Sequence, residues 1–244
     1  MKGSNLSQEL FEDYLNHKGL VKNRDYFYEP DGNTRPDFLV KAGHNIIFEV
    51  KEFSSDSEGD QQLRSLEGHV TVLELYGPVR RKIQKAKRQF KSHKNDYPCV
   101  LILYKGDSLA VNLDIFVVAA AAYGDLSMNS NGQWHFGQNT KLSPERNKTF
   151  SGIGIIDEVY PERVAAHKIF LEDNTFSSSD TLQQIDERFK DWSQVNGYNL
   201  EKRVIRVQLI NNVFASKHVS LGFFDGECDE IYSTDENGLF GRMP

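Results

Sequence analysis

Apolar residues recur at helical spacing over residues 6–18, where Leu10, Phe11, Tyr14 and Leu15 share one side and Gly19 marks a stop. The period then shortens. Residues 25–29 (DYFYE), 35–41 (RPDFLVK) and 45–53 (NIIFEVKEF) read as three short strands. The turn chemistry of Pro30-Asp31-Gly32-Asn33 and Ala42-Gly43-His44 separates them. Links this short favour antiparallel neighbours. Residues 54–67 are acidic and serine-rich and read as a mobile loop. Gly77-Pro78 then opens a second helix, whose buried stripe is Val79, Ile83, Ala86 and Phe90. After Pro98, the unbroken apolar run Cys99–Tyr104 is typical of a strand covered on both faces.

The second half gives weaker signals. Residues 109–123 read as a buried helix, 126–148 as a polar loop, and 150–156 as a strand. Leu182, Ile185, Phe189 and Trp192 mark an amphipathic helix, with Phe189 and Trp192 as core residues, and residues 204–210 a further strand. No internal repeat or linker stands out. The pattern therefore predicts an α/β (α+β) protein with a mixed sheet: a core over residues 1–105, and residues 106–244 as an extension of the same domain or an accessory, partner-binding region.

Composition narrows the class. With 244 residues and 39% hydrophobic content the chain can bury a real core. Its most apolar run, residues 115–123, falls well short of the roughly 20 residues a membrane span needs. No signal segment opens the chain, so a reducing, cytoplasmic setting is the default expectation. Two cysteines cannot build a disulfide framework, and Cys99, within an apolar strand, is expected to be buried and inert.

Charge is unevenly spread. The net charge is −6, yet residues 79–94 carry eight of the 29 Lys and Arg and no Asp or Glu. Such a stripe suits either a phosphate-binding surface or a solvated helix face.

The chemistry concentrates in residues 36–51. Alternation sends Ile46, Phe48 and Val50 to one face of the third strand, and Glu49 and Lys51 to the other beside Ile47 and Phe53. A carboxylate and an ammonium within an apolar strand are costly unless paired or working. If the second and third strands form a hairpin, Asp37 can join them. Pro36-Asp37, an eleven-residue gap and Glu49-Val50-Lys51 resemble the PD-(D/E)xK nuclease superfamily. The order of elements over residues 6–105 is similar to that superfamily's αβββαβ, restriction-endonuclease-like core.

That resemblance implies a metal-dependent nuclease hydrolysing nucleic-acid phosphodiesters, with DNA the expected substrate and RNA left open. It implies Asp37, Glu49 and the Val50 carbonyl as ligands of Mg²⁺ or Mn²⁺, which suit hard oxygen donors, and Lys51 beside the attacking water. An acidic residue from the first helix is expected, and Glu12, nearer the apolar edge than Glu9, is preferred. From the basic helix, Gln89 and Lys85 are candidates at the site. Lys82 lies along the same edge, and Arg80, Arg81, Arg88 and Lys91 read as phosphate contacts.

Elsewhere the seven histidines show no paired-ligand spacing, and no Walker-type loop is present. The acidic run at residues 225–230 lacks calcium-loop spacing and reads as a solvated loop. Two alternatives to an autonomous nuclease remain: a silent nucleic-acid-binding or assembly module on the same fold, and a nuclease subunit active only in a larger complex. Cutting both strands of a duplex would be simplest for a homodimer.

Overall fold

The computed structural model describes residues 6–28, 36–55, 60, 76–124, 126–136, 148–176, 180–234 and 239–244. Its elements are α1 (Leu6–His17), β1 (Tyr26–Tyr28), β2 (Phe38–Val40), β3 (Ile46–Glu52), α2 (Gly77–Gln89) and β4 (Cys99–Tyr104). There follow α3 (Ile115–Tyr123), β5 (Leu126–Met128), β6 (Trp134–Phe136), β7 (Gly152–Val159), α4 (Pro161–Asp173), α5 (Leu182–Val195), β8 (Val204–Asn211), β9 (Glu230–Thr234) and β10 (Leu239–Arg242). The ten strands form one mixed sheet in the order β1-β2-β3-β4-β7-β8-β9-β10-β6-β5. No helix among the described residues is long and apolar enough to cross a membrane.

Alternation along β3 and β4 divides the core into two layers. Phe38, Ile46, Phe48, Val50, Val100 and Ile102 pack under α1 through Leu10, Phe11, Tyr14 and Leu15. Phe11 meets Phe38 and Phe48 with ring centroids 5.1 and 4.9 Å apart. Ile47, Phe53, Cys99, Leu101 and Leu103 face the other way, beneath α2 and α3. The stripe Val79, Ile83, Ala86 and Phe90 is buried there as its spacing predicts. β4, parallel to both β3 and β7, is covered on both faces, which explains its unbroken apolar run.

Glycine matters most at Gly106, which follows β4 with φ +58°. A Cβ there would collide with the Phe53 carbonyl, so glycine lets this turn close against the end of β3.

Several expectations need correction. The helix expected over residues 109–123 begins only at Ile115, because Asp114 caps it by accepting the Phe116 N–H at 2.8 Å. The polar loop expected from residue 126 instead holds the β5–β6 hairpin, whose turn is organised by Asn129 Oδ1 accepting from Asn131 and Gln133. Residues 137–147 of that stretch lie outside the described residues.

α4 gave no periodic signal because apolar side chains surround it; Ala166 and Phe170 are buried while Val164 and Leu171 are exposed. Phe189 and Trp192 do pack with α4, in a small separate cluster. β9 and β10 are further strands that the sequence pattern does not announce. Most of the loop expected at 54–67 is outside the described residues, but Asp60 is buried and accepts from Ser108 Oγ and Leu109 N, each at 2.6 Å.

The acidic run at residues 225–230 is not wholly solvated. The Asp229 side chain is 1% exposed and accepts from Tyr14 Oη, Val207 N and Gly226 N at 2.6, 2.8 and 3.0 Å. It ties α1 to the middle of the sheet.

Candidate active site

β2 and β3 pair antiparallel with Phe38 opposite Phe48, so the next step along brings Asp37 alongside Glu49. Regular pairing ends there. The Val50 N–H, which points toward β2, is taken by Asp37 Oδ2 at 2.8 Å. The Val50 carbonyl leaves the strand on that same edge. Asp37 Oδ1 accepts from Gln8 Nε2 of α1 at 3.0 Å, and Gln8 Oε1 in turn accepts from Tyr28 Oη at 2.7 Å. Both oxygens of Asp37 are thus oriented.

Glu49 points to the α2 side of the sheet and is fully buried. Its Oε1 accepts from Lys51 Nζ, two residues along the same face. Its Oε2 is buried without a hydrogen-bond partner. Burial raises the Glu49 carboxyl to about 7. The negative charge of Asp37 adds to the rise, and Lys51 and Gln89 offset part of it. Gln89 comes close enough to influence the carboxylate, yet Glu49 Oε2 has no hydrogen-bond partner, and the Gln89 acceptor Oε1 is likewise buried and unpartnered.

The basic helix contributes in two ways. Lys82 is half-buried with its Nζ 5.4 Å from the Phe53 ring centroid. Burial and the neighbouring charges of Lys51 and Lys85 hold its pKa below the usual lysine value, with Glu52 opposing them. Arg81, Lys85 and Arg88 are exposed at helical spacing along the outer face, and Lys91 is exposed just beyond the helix. Arg80 does not join them: it is half-buried over the Tyr76 ring, 5.3 Å from its centroid, with Nε unpartnered.

Asp37, Glu49, Lys51, Val50 and Gln89 are therefore brought together, with Lys82 beside Lys51. Glu12 is not with them. It is paired with Lys22 at 2.7 Å and accepts from Tyr26 Oη at 3.1 Å. The α1 residue at Asp37 is Gln8, one turn earlier on the same edge. Gln8 carries no charge, and in the sequence only its i, i+4 spacing from Glu12 places it on that edge.

Could this arrangement hold a divalent cation? An unpartnered buried oxygen on Glu49, an oriented carboxylate on Asp37 and a nearby carbonyl are all hard oxygen donors, and they fit such an ion with water completing its shell. No third acidic or histidine ligand joins them: among the described residues no group of three or more His, Cys, Asp or Glu is placed to hold a metal. Comparison with protein-family models, with curated proteins and with solved structures finds no match to this chain.

Proposed function

We propose that the chain is a metal-dependent nuclease that hydrolyses phosphodiester bonds, with DNA the favoured substrate. The observation that carries this reading is Glu49: a fully buried carboxylate with one oxygen on Lys51, the other unpartnered, and Asp37 at the adjoining end of β2. The succession α1, β1–β3, α2, β4 supports it, because it is similar to the PD-(D/E)xK core.

In this reading Asp37, Glu49 and the Val50 carbonyl are the oxygens that hold Mg²⁺ or Mn²⁺. Such an ion supplies a water of lowered pKa and positive charge for the phosphate. Gln8 and the Val50 N–H keep Asp37 in one orientation. Lys51 places an ammonium beside the attacking water and offsets negative charge building on the phosphate. Arg81, Lys85 and Arg88 hold flanking phosphates and position the strand without reading its sequence.

The test is cleavage of labelled linear duplex, circular single-stranded DNA and RNA in Mg²⁺, Mn²⁺ or EDTA, with Glu49→Ala beside the wild type. Metal-dependent cleavage that the variant loses is the expected result. Full activity in Glu49→Ala, or none in the wild type on any substrate, would overturn the assignment. The ion pair between Lys51 and Glu49 favours a second reading, a non-catalytic binding module, because it already satisfies half of the carboxylate. Salt-dependent binding with no cleavage would select it.

A further inference from the structure

β3, β4 and β7 run parallel, so their carboxyl ends lie at one end of the sheet, where α/β sheets commonly bind ligands. Lys51 stands at this end of β3. Across the sheet, register continues its row through Leu103 and Ile155 to Gln208. At about 4.8 Å per strand, Ile155 is roughly 10 Å and Gln208 roughly 14 Å from Lys51.

A cleft of about 420 Å³ opens at these positions. Leu113 and Ile155 give it an apolar wall, and Asp157, Arg206 and Gln208 a polar one. Its polar groups are held before any ligand arrives. Arg206 Nε and Nη2 donate to the two oxygens of Asp157 at 3.0 and 2.6 Å, which fixes the guanidinium plane. Gln208 Nε2 donates to Glu230 Oε2 at 2.6 Å, which directs Gln208 as well. At the mouth, exposed Asn112 accepts the Asp114 N–H at 3.0 Å through Oδ1, and its amide nitrogen remains able to donate.

We infer that this cleft is a nucleobase pocket, receiving a base turned out of its stack next to the phosphate held at Lys51. The inference rests on the nuclease reading for its orientation. A nucleobase is planar, apolar on its faces and studded with donors and acceptors on its edge, which matches one apolar wall facing a fixed amide and guanidinium. Asp114 and Asp157 beside Lys105 and Arg206 leave the cleft without the excess positive charge that would favour a phosphate. One nucleotide spans the separation from phosphate to base when the base is extruded.

The test is an abasic scan. A labelled single-stranded oligonucleotide, and a series each lacking one base, are titrated with the full chain in EDTA, where binding is read without cleavage. One position should lose about ten-fold in affinity when its base is removed. In Arg206→Gln and in Asn112→Ala that position-specific loss should shrink toward one-fold. Asn112 is on the surface, so its variant keeps the test valid if the Arg206 variant unfolds. A flat scan, or a scan unchanged in both folded variants, overturns the pocket.

Cleavage of the intact oligonucleotide in Mg²⁺ reads the other half. Cleavage with a flat scan removes the pocket and leaves the nuclease. A position-specific loss without cleavage supports the pocket and removes the hydrolytic reading. No binding in EDTA together with no cleavage in Mg²⁺ removes both.

Discussion

Gln8 donates to Asp37 across a separation of 29 residues, and this one amide joins the first helix to the strand end where the candidate site is built. Its own orientation is set by Tyr28 Oη on β1. Gln8→Ala should leave the fold intact and let Asp37 rotate. Loss of an outer partner of a metal ligand typically costs 10–100-fold, so cleavage at low Mg²⁺ should fall by about that factor. Excess Mg²⁺ should restore part of it. Tyr28→Phe, which frees the amide without removing it, should fall between. A Mg²⁺ titration of initial rates checks the order; identical curves for all three proteins would remove Gln8 from the site.

Replacing Glu49 with its isosteric amide isolates charge from shape. Glu49→Gln should reduce cleavage by about 10³-fold or more, in the range seen when one fixed electrostatic partner of a reaction is lost. Calorimetric binding of Mn²⁺ should weaken in parallel. Cleavage lost while Mn²⁺ affinity stays at the wild-type value would mean that Glu49 acts other than as a ligand.

Stability should carry a pH signature from the same residue. The folded Glu49 carboxyl titrates near 7, against an ordinary value of 4.5. Between those values the native state binds more protons than the unfolded chain, so this residue makes stability fall as pH rises from about 4.5 to 7. Well above 7 the full penalty is present, on the order of 3 kcal/mol. Urea midpoints at pH 5 and pH 8 should differ more in the wild type than in Glu49→Gln. An equal difference in both would show that Glu49 does not carry the effect.

The exposed basic stripe makes a separable prediction. Arg81→Gln, Lys85→Gln and Arg88→Gln together should weaken binding to all sequences alike. They should also flatten the dependence of log affinity on log salt by about one unit per side chain. Thermal stability should barely move, since these side chains lie on the surface. A salt slope equal to that of the wild type would mean that nucleic acid does not lie along this helix.

Far from the site, Asp229→Ala should destabilise the fold. It leaves Tyr14 Oη and Val207 N–H without their buried acceptor, at about 1–3 kcal/mol for each group left unsatisfied. Chemical denaturation measures this directly. A change under about 0.5 kcal/mol would show that water replaces the carboxylate.

Strong periodicity made the first half of the fold readable. Leu10, Phe11, Tyr14 and Leu15 on α1 reflect burial on a single face, which leaves a period in the sequence, and β3, buried on both faces, stands out because Glu49 and Lys51 interrupt its apolar run. α4 leaves none, because its apolar residues are spread around the helix and only two of them are buried. β5 and β6 have three residues each, too few to show alternation. At the site, charge drew attention to Asp37, Glu49 and Lys51. Gln8 has no charge, and only its pairing with a distant carboxylate gives it a role, so it had to be seen in three dimensions. Asp229 is hidden for the opposite reason: its acidic neighbours suggest water, while its partners come from α1 and β8.

β7 and β8 are hydrogen-bonded neighbours, and their register closes with Val159 opposite Val204. A tight turn would join them, yet the chain spends residues 160–203 on α4 and α5, which have a hydrophobic cluster of their own. This excursion is an insertion in the architectural sense: both its ends leave from one point on the sheet. It can lengthen, shrink or be replaced by a short turn over generations without shifting a strand or moving Asp37 from Glu49. Selection can therefore act on the helical pair and on the candidate site as two separate inheritances carried by one chain.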